Sequence, residues 1–191
     1  MLLQEQDIFI RPYELTDVAA LLALRLRNRT FLEPFEPVRS DLFFTAEEQQ
    51  KQVESARADF ARGSAFAFAI FLTDNQQMIG RVALSNVVRG AWQNATIGYF
   101  LDQQHNGKGY MTQAVKLALR YAFREANLHR VQAAIMPRNL PSIKVVQKAG
   151  FRYEGTSLRY LLINGVWEDH HIYALTSEEW DGDESDLSYS I

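Results

Sequence analysis

Apolar residues along the chain alternate between a spacing of two and a spacing of three to four, and the changes mark out the elements. Ile8-Phe-Ile-Arg-Pro12 predicts a short strand ended by proline. Thr16-Asp17 stands where a helix N-cap is expected, ahead of Val18, Leu21, Leu22, Leu24 and Leu26, whose spacing gives one broad buried face. Phe31-Leu-Glu-Pro-Phe-Glu-Pro37 holds two prolines too close together for a regular element, so it predicts a loop whose aromatics and glutamates could line a site. Thr45-Ala-Glu-Glu48 has capping-box spacing, and a second helix, polar on most faces, runs from it to Gly63. Phe66, Phe68 and Ile70 then alternate with alanines. Asp74-Asn75 forms a turn, Met78 to Asn86 the hairpin partner, Arg89-Gly90 another turn, and Ala95 to Leu101 the next strand. After a polar, glycine-rich turn, Val115, Ala118, Leu119, Ala122 and Ala126 form one helical stripe. Val131 to Met136 reads as a strand, Pro137 to Pro141 as a loop, and Ser142 to Lys148 as a short helix stopped by Gly150. Phe151 to Ile163 and Val166 to Leu175 flank Asn164-Gly165, a strong hairpin signal. This order predicts one α+β domain over residues 1–180, with helices flanking a mixed, mostly antiparallel sheet. The acidic tail 181–191 is expected to fray.

Composition changes this picture little. The 191 residues are 47% hydrophobic and 23% charged, ordinary values for a globular chain long enough to bury a core. A net charge of −3 argues against nucleic-acid binding through a general basic field. With no cysteine there is no disulfide, thiolate nucleophile or Cys metal site. The N-terminus lacks signal-peptide character and no window has 18 consecutive apolar residues, so the expectation is a cytoplasmic protein without a membrane span. Of the four histidines, adjacent His170 and His171 point to opposite strand faces, and no metal site is expected. Trp92, Trp167 and Trp180 are expected to be packing groups.

The chemistry concentrates in the stretch from Asn94 to Arg124. A glycine turn that opens a helix leaves several backbone N–H groups unpaired and converging, with the positive end of the helix dipole behind them, which suits phosphate or pyrophosphate. Neither familiar nucleotide motif fits. The P-loop positions around Gly107-Lys108 hold Asp102 and Gly109, and Gly107-Lys-Gly109 is followed by Thr112, where the dinucleotide fingerprint has its last glycine. On its own, the turn could equally do no more than join strand to helix.

The strand before this turn, the helix after it, the Asn139-x-x-Ser142 loop and the Ala149-Gly-Phe151 ahead of the closing hairpin together resemble the GCN5-related N-acetyltransferases. That family's acyl-CoA loop reads Gln/Arg-x-x-Gly-x-Gly/Ala. Gln104-His-Asn-Gly107-Lys-Gly109 matches the letters, whereas Asn106-Gly-Lys-Gly109-Tyr-Met111 keeps the family's distance from the strand, with Asn106 and Met111 as departures. The second register is preferred, because that distance fixes where the amides point. Both registers put the amides of Gly107 to Met111 around the pyrophosphate. Phe31 to Arg39, Gly63 to Phe66, Ser85 to Gly90 and Tyr160 to His170 further resemble the RimJ-type branch, whose members acetylate the N-terminal residue, typically alanine, of a small-subunit ribosomal protein.

The resemblance implies an acetyl-CoA-dependent enzyme, monomeric or homodimeric, acting on a protein N-terminus. It puts Asn106, Gly107, Lys108, Gly109, Tyr110, Met111 and Thr112 at the cofactor phosphates. Tyr99, Phe100 and Leu101 are implied to run beside the pantetheine and offer an N–H to the acetyl oxygen, with Gly98 marking a bulge that lets the strand bend open. Asn139 is implied to contact pantetheine and Ser142 to protonate the departing thiolate; read locally, Ser142 would cap its helix. The base is less plain. Many relatives carry glutamate just before Ile-Gly-Tyr, where this chain has Thr96. An α-amino group is roughly 10–20% neutral at pH 7 and a lysine only about 0.04%, so a weak base suits an N-terminal acceptor better. Glu33, Glu36, Glu154 and Asp169 are the substitutes, each also readable as a surface or ion-paired carboxylate. Acetylation of a small amine, a non-catalytic acyl-CoA- or ribosome-binding module, and a nucleotide-binding domain are the competing readings.

Overall fold

A computed structural model describes residues 1–182 of the chain. The tail's residues 183–191 lie outside the described residues. In chain order the elements are β1 (Leu3–Gln4), β2 (Ile8–Pro12), α1 (Val18–Arg27), α2 (Arg29–Leu32), α3 (Ala46–Arg62), β3 (Phe66–Leu72), β4 (Met78–Val88), β5 (Asn94–Leu101), α4 (Tyr110–Arg120), β6 (Arg130–Ile135), α5 (Leu140–Lys148), β7 (Arg152–Ile163) and β8 (Val166–Thr176). Among the described residues the strands form one sheet in the order β1-β2-β3-β4-β5-β6-β8-β7. Every neighbouring pair is antiparallel except β5 and β6.

The period of two in β3 separates two buried faces. All seven of its residues are buried. Phe66, Phe68 and Ile70 join the core under α4 and α5, while Ala67, Ala69 and Phe71 join a second core with Leu21 and Leu24 of α1 and Val53 of α3. Bulk on one side and alanine on the other let α1 and α3 sit close to the strand. A sheet covered on both faces places any site at a gap in the sheet or at its rim.

That gap is the parallel pair. β5 and β6 are in register only at Asn94–Arg130, Ala95–Val131 and Thr96–Gln132. Beyond Thr96, residues Ile97 to Leu101 keep only β4 as a strand partner, and Ala133 to Ile135 keep only β8. The two strands therefore part into a cleft. Gly98 is not its cause, because it pairs regularly with Ala83. The register shift lies across from it in β4, between Ser85 and Val88, where Asn86 has φ 51°. An inserted residue in β4 increases the local twist beside the last paired residues of β5 and β6.

Several local expectations hold. Thr45 Oγ1 accepts from the Glu48 N–H and Gly63 closes α3 at φ 69°, while Asn164 and Gly165 adopt φ 44° and 81°, both positive as a type I′ turn requires. Others change. Asp17 makes no cap bond to α1; its carboxylate takes both guanidinium nitrogens of Arg11 at 2.7 and 2.8 Å. The Phe31–Pro37 segment is helical at its start, with α2 running to Leu32 and a 3₁₀ turn over Glu33–Phe35 carrying Pro34 in its first turn, where a missing N–H costs nothing. Leu26 is exposed, and of the tryptophans only Trp180 packs, against Phe123, while Trp92 and Trp167 face solvent.

Candidate active site

At the mouth of the cleft β5 ends at Leu101 and the chain passes through a 3₁₀ turn over Gln103–His105 into the glycine turn. Gly107 and Gly109 take φ 78° and 85°, in the left-handed region that favours glycine. Gly109 is the N-cap of α4 and its carbonyl accepts the first helical bond, from Gln113 at 3.1 Å, with no side chain capping the end. The N–H groups of Gly107 to Thr112 have no partner among the described residues. Asn106, Gly107, Lys108 and Gly109 are exposed, and added Cβ atoms at the two glycines would meet nothing within 4 Å. The turn is therefore an open row of donors at a helix N-terminus. Met111, one of the departures from the family pattern, points its side chain into the core at 7% exposure, so it leaves the amides uncovered.

This turn is anchored from below. Asp102, buried, caps the 3₁₀ turn through the Gln104 N–H and accepts from Arg27 Nε at 2.6 Å, and the Asn28 side chain accepts from the Gln103 N–H at 2.9 Å. Burial works against the charge on Asp102, but the bonds from Arg27 and the Gln104 N–H outweigh it and hold the carboxyl below its ordinary value. The junction of α1 and α2 thus fixes the start of the loop. Asp102 reads in sequence as one more polar loop residue; its only local signal was the Asp-x-Gln spacing of a small turn.

Inside the cleft, alternation along β5 sends Tyr99 and Leu101 toward α4 and α5 and Phe100 to the opposite face. The Tyr99 hydroxyl lies 2.9 Å from Ser142 Oγ and 3.2 Å from the Ser142 carbonyl. Burial pushes the Tyr99 phenol up to about 12, partly opposed by the bond to Ser142. Tyr99 therefore stays protonated at neutral pH as a neutral donor. The cap of α5 is Asn139, whose Oδ1 accepts from the Ser142 N–H at 3.3 Å. The local reading of Ser142 as the cap is thus corrected, and its hydroxyl is left facing Tyr99 across the cleft. The Tyr99–Ser142 pair could not be seen in the sequence, since 43 positions separate its members.

On the other side of β5, a cavity is lined by Arg25, Arg29, Glu33, Glu36, Arg39 and Asn164, among others. The segment that forms it is tied across the cleft mouth: the Asn164 N–H donates to the Glu36 carbonyl at 2.9 Å, and Arg138 donates to the Pro34 carbonyl at 3.2 Å. Of the four carboxylates expected as substitute bases, three are engaged. Glu36 holds Arg25 at 2.7 Å, Asp169 takes the Arg159 N–H at 2.7 Å, and Glu154 is held by Arg130 and Arg152, whose charges keep its carboxyl below the usual value. Glu33 has no ion pair among the described residues and lines the cavity. Among the described residues no group of His, Asp or Glu could hold a metal ion, and no helix is long and apolar enough to cross a membrane.

Comparison with known proteins gives this geometry a context. Residues 7–152 match the acetyltransferase (GNAT) domain family. The chain is 44% identical to the probable N-acetyltransferase YjcK of Bacillus subtilis, over 93% of this chain and 98% of that protein. It is 39% identical to the [ribosomal protein uS5]-alanine N-acetyltransferase of Escherichia coli, over 80% of this chain and 79% of that one. In structure it resembles Mycobacterium smegmatis RimJ in complex with CoA-disulfide, with a TM-score of 0.85 and 33% identity over 90% of this chain and 83% of that chain. The cleft, the open amide row and these likenesses lead to one conclusion: the chain belongs to the GNAT family of N-acetyltransferases.

Proposed function

We propose that this chain transfers the acetyl group of acetyl-CoA to the N-terminal amine of a protein, and that the acceptor is a ribosomal protein beginning with alanine. The observation that carries this reading is a parallel pair that opens after Thr96, with unpaired amides at one end and Tyr99–Ser142 within. The pyrophosphate lies on the N–H groups of Gly107 to Thr112, and each such bond to a charged group contributes roughly 1.5–3 kcal/mol. The free edge of β5 from Ile97 to Leu101 supplies backbone donors to the pantetheine and to the thioester oxygen, where charge grows as the amine attacks. The amine nitrogen bonds to the thioester carbon, the carbon–sulfur bond breaks, and the thiolate takes a proton from Ser142 Oγ, which Tyr99 holds in place and which water reprotonates in the same step. The proton leaving the amine passes to water at the cavity mouth, where Glu33 lines the wall without an ion pair among the described residues and is free to accept it. RimJ bound to CoA-disulfide and the uS5-alanine relative support both the cosubstrate and the acceptor class.

Incubation with acetyl-CoA and peptides of varied first residue tests the reading. Release of CoA thiol with a mass gain of one acetyl on the Ala-starting peptide is the expected result. Turnover with small amines and with no peptide would instead assign a small-amine acetyltransferase. CoA binding with no transfer to any amine would leave a binding module, the reading that Thr96 in place of glutamate favours.

A further inference from the structure

The cavity on the α1 face holds more positive charge than its own carboxylates neutralise. Arg25 is paired with Glu36 and lies over the Phe100 ring at 3.9 Å, while Arg29 is paired with Asp41 and lies over Phe44 at 4.3 Å. Two arginines are left without a carboxylate among the described residues. Arg39 lines the cavity and touches only the face of Phe43, at 4.6 Å. The side chain of Arg81, on β4 directly opposite Phe100, makes no hydrogen bond or ion pair among the described residues, and its charged neighbours are Arg25, Glu36 and Arg39. Burial lowers the Arg81 pKa, the sign of a desolvated cation without a sufficient counter-charge. Beside Arg81 and Arg25 sits Tyr13, 3% exposed, with a hydroxyl that has no partner. Burial raises its pKa, so this hydroxyl is a donor with nothing to donate to. Two guanidiniums, Arg39 on the cavity wall and Arg81 with Arg39 among its charged neighbours, therefore lack a carboxylate acceptor from this chain among the described residues. Glu33, the remaining carboxylate of the wall, is exposed and pairs with neither arginine.

We propose that Arg39, with the unpaired charge of Arg81 near it, binds a carboxylate carried by the acetyl acceptor, so that the site selects acceptors with a negative charge close to the reacting amine. The inference rests on the cavity being the acceptor site of the acetyltransferase proposed above. The carboxylate could be an acidic side chain near a protein N-terminus or the α-carboxylate of a small amine, and the shared chemistry is an amine and a carboxylate within one short ligand.

Four acceptors separate these possibilities: an Ala-starting peptide with glutamate among its first residues, the same peptide with glutamine, an amino acid, and its amide. The glutamate peptide is expected to show a KM lower by about tenfold or more than the glutamine peptide at similar kcat, as for a charged hydrogen bond gained on binding. Arg39→Gln, at a side chain whose one contact is a ring face, is expected to abolish that difference and leave the KM for acetyl-CoA unchanged; Arg81→Met is a second variant. Equal KM for the two peptides would overturn the carboxylate site and leave N-terminal acetylation standing. Acetylation of the amino acid over its amide, with neither peptide accepted, would keep the carboxylate site and overturn the protein N-terminus as acceptor. Calorimetric titration of both peptides into the CoA-loaded protein reads the same preference without turnover; equal affinities there would also overturn it.

Discussion

At the residue scale, the proposed reaction draws the proton for the leaving thiolate from two hydroxyls in contact, Ser142 and Tyr99. Ser142→Ala is expected to lower kcat by roughly 10²-fold, the lower range for a positioned proton donor, with the KM for acetyl-CoA little changed. Tyr99→Phe keeps the ring in the core and removes only the hydroxyl that holds Ser142. A smaller loss of roughly tenfold in kcat is expected, and steady-state kinetics on both variants would rank them. Because burial pushes the Tyr99 phenol up to about 12, its ionisation contributes no limb to the pH–rate profile in the working range. The rising limb of kcat/KM should follow the acceptor amine, near pKa ~8 for a protein N-terminus. A limb near 10 would point to a lysine acceptor. Sequence reading reached Asn139 and Ser142 because their spacing is local. The local reading gave Ser142 the cap that Asn139 holds, since Asn and Ser both cap helices well and only the folded loop shows that Asn139 occupies the cap. It placed Tyr99 on the strand and missed its side chain's partner, which is remote in sequence.

At the scale of elements, periodicity carried most of the architecture. The alternation in β3, the Asn164-Gly165 hairpin and the Thr45–Gly63 helix follow rules that span a few residues each. The failures came where a rule permits two outcomes. Prolines at Pro34 and Pro37 exclude a long helix but are tolerated in a first turn, so α2 and the 3₁₀ turn form there. A strand glycine at Gly98 signals a possible bulge, yet the irregularity fell on Asn86 of the neighbouring strand, a residue that tolerates positive φ. Two glycines make element-level predictions. Gly109 sits at φ 85° in open space, so Gly109→Ala strains the turn by roughly 1–2 kcal/mol and tilts the amide row. Its effect should be a higher KM for acetyl-CoA in a protein that remains folded. Gly80 is buried, and an added Cβ would meet the Phe100 carbonyl oxygen at 2.6 Å, a backbone contact that cannot swing aside. Gly80→Ala is expected to lower Tm by about 5 °C, read by thermal denaturation, as for an overpacked core of this size.

At the scale of the molecule, pH dependence and ligand linkage are the useful readouts. Asp102 and Glu154 both titrate below their ordinary values in the folded state. Their stabilisation is complete above the unfolded values, about 4, and is lost as pH falls through the lower folded values. Stability should be flat through neutral pH and decline in acid. Arg27→Met, which removes the principal partner of Asp102, should cost about 1.5–3 kcal/mol at pH 7 and progressively less as acid protonates Asp102, so that its decline in acid is shallower, by denaturant titration at two pH values.

The three-residue register between β5 and β6 has a further consequence. β1 to β5 form one set of sequence-adjacent antiparallel pairings, and β6, β8 and β7 in that order form a second antiparallel set, so each half of the sheet can zip up without the other. That short parallel stretch, the cover of α4 and α5, and the ties from Asn164 and Arg138 to the Pro34–Glu36 segment sew the halves together. A cosubstrate lying along Ile97 to Leu101 would act as the missing thread, lending the sheet the hydrogen bonds that its own chain leaves unmade. Binding should then appear as a rise in melting temperature equivalent to about 2.7 kcal/mol at a concentration of 100 Kd. Amide exchange should slow along the free edge of β5 and at Gly107 to Thr112, and stay unaltered in β2 and β3, where the fabric is already complete.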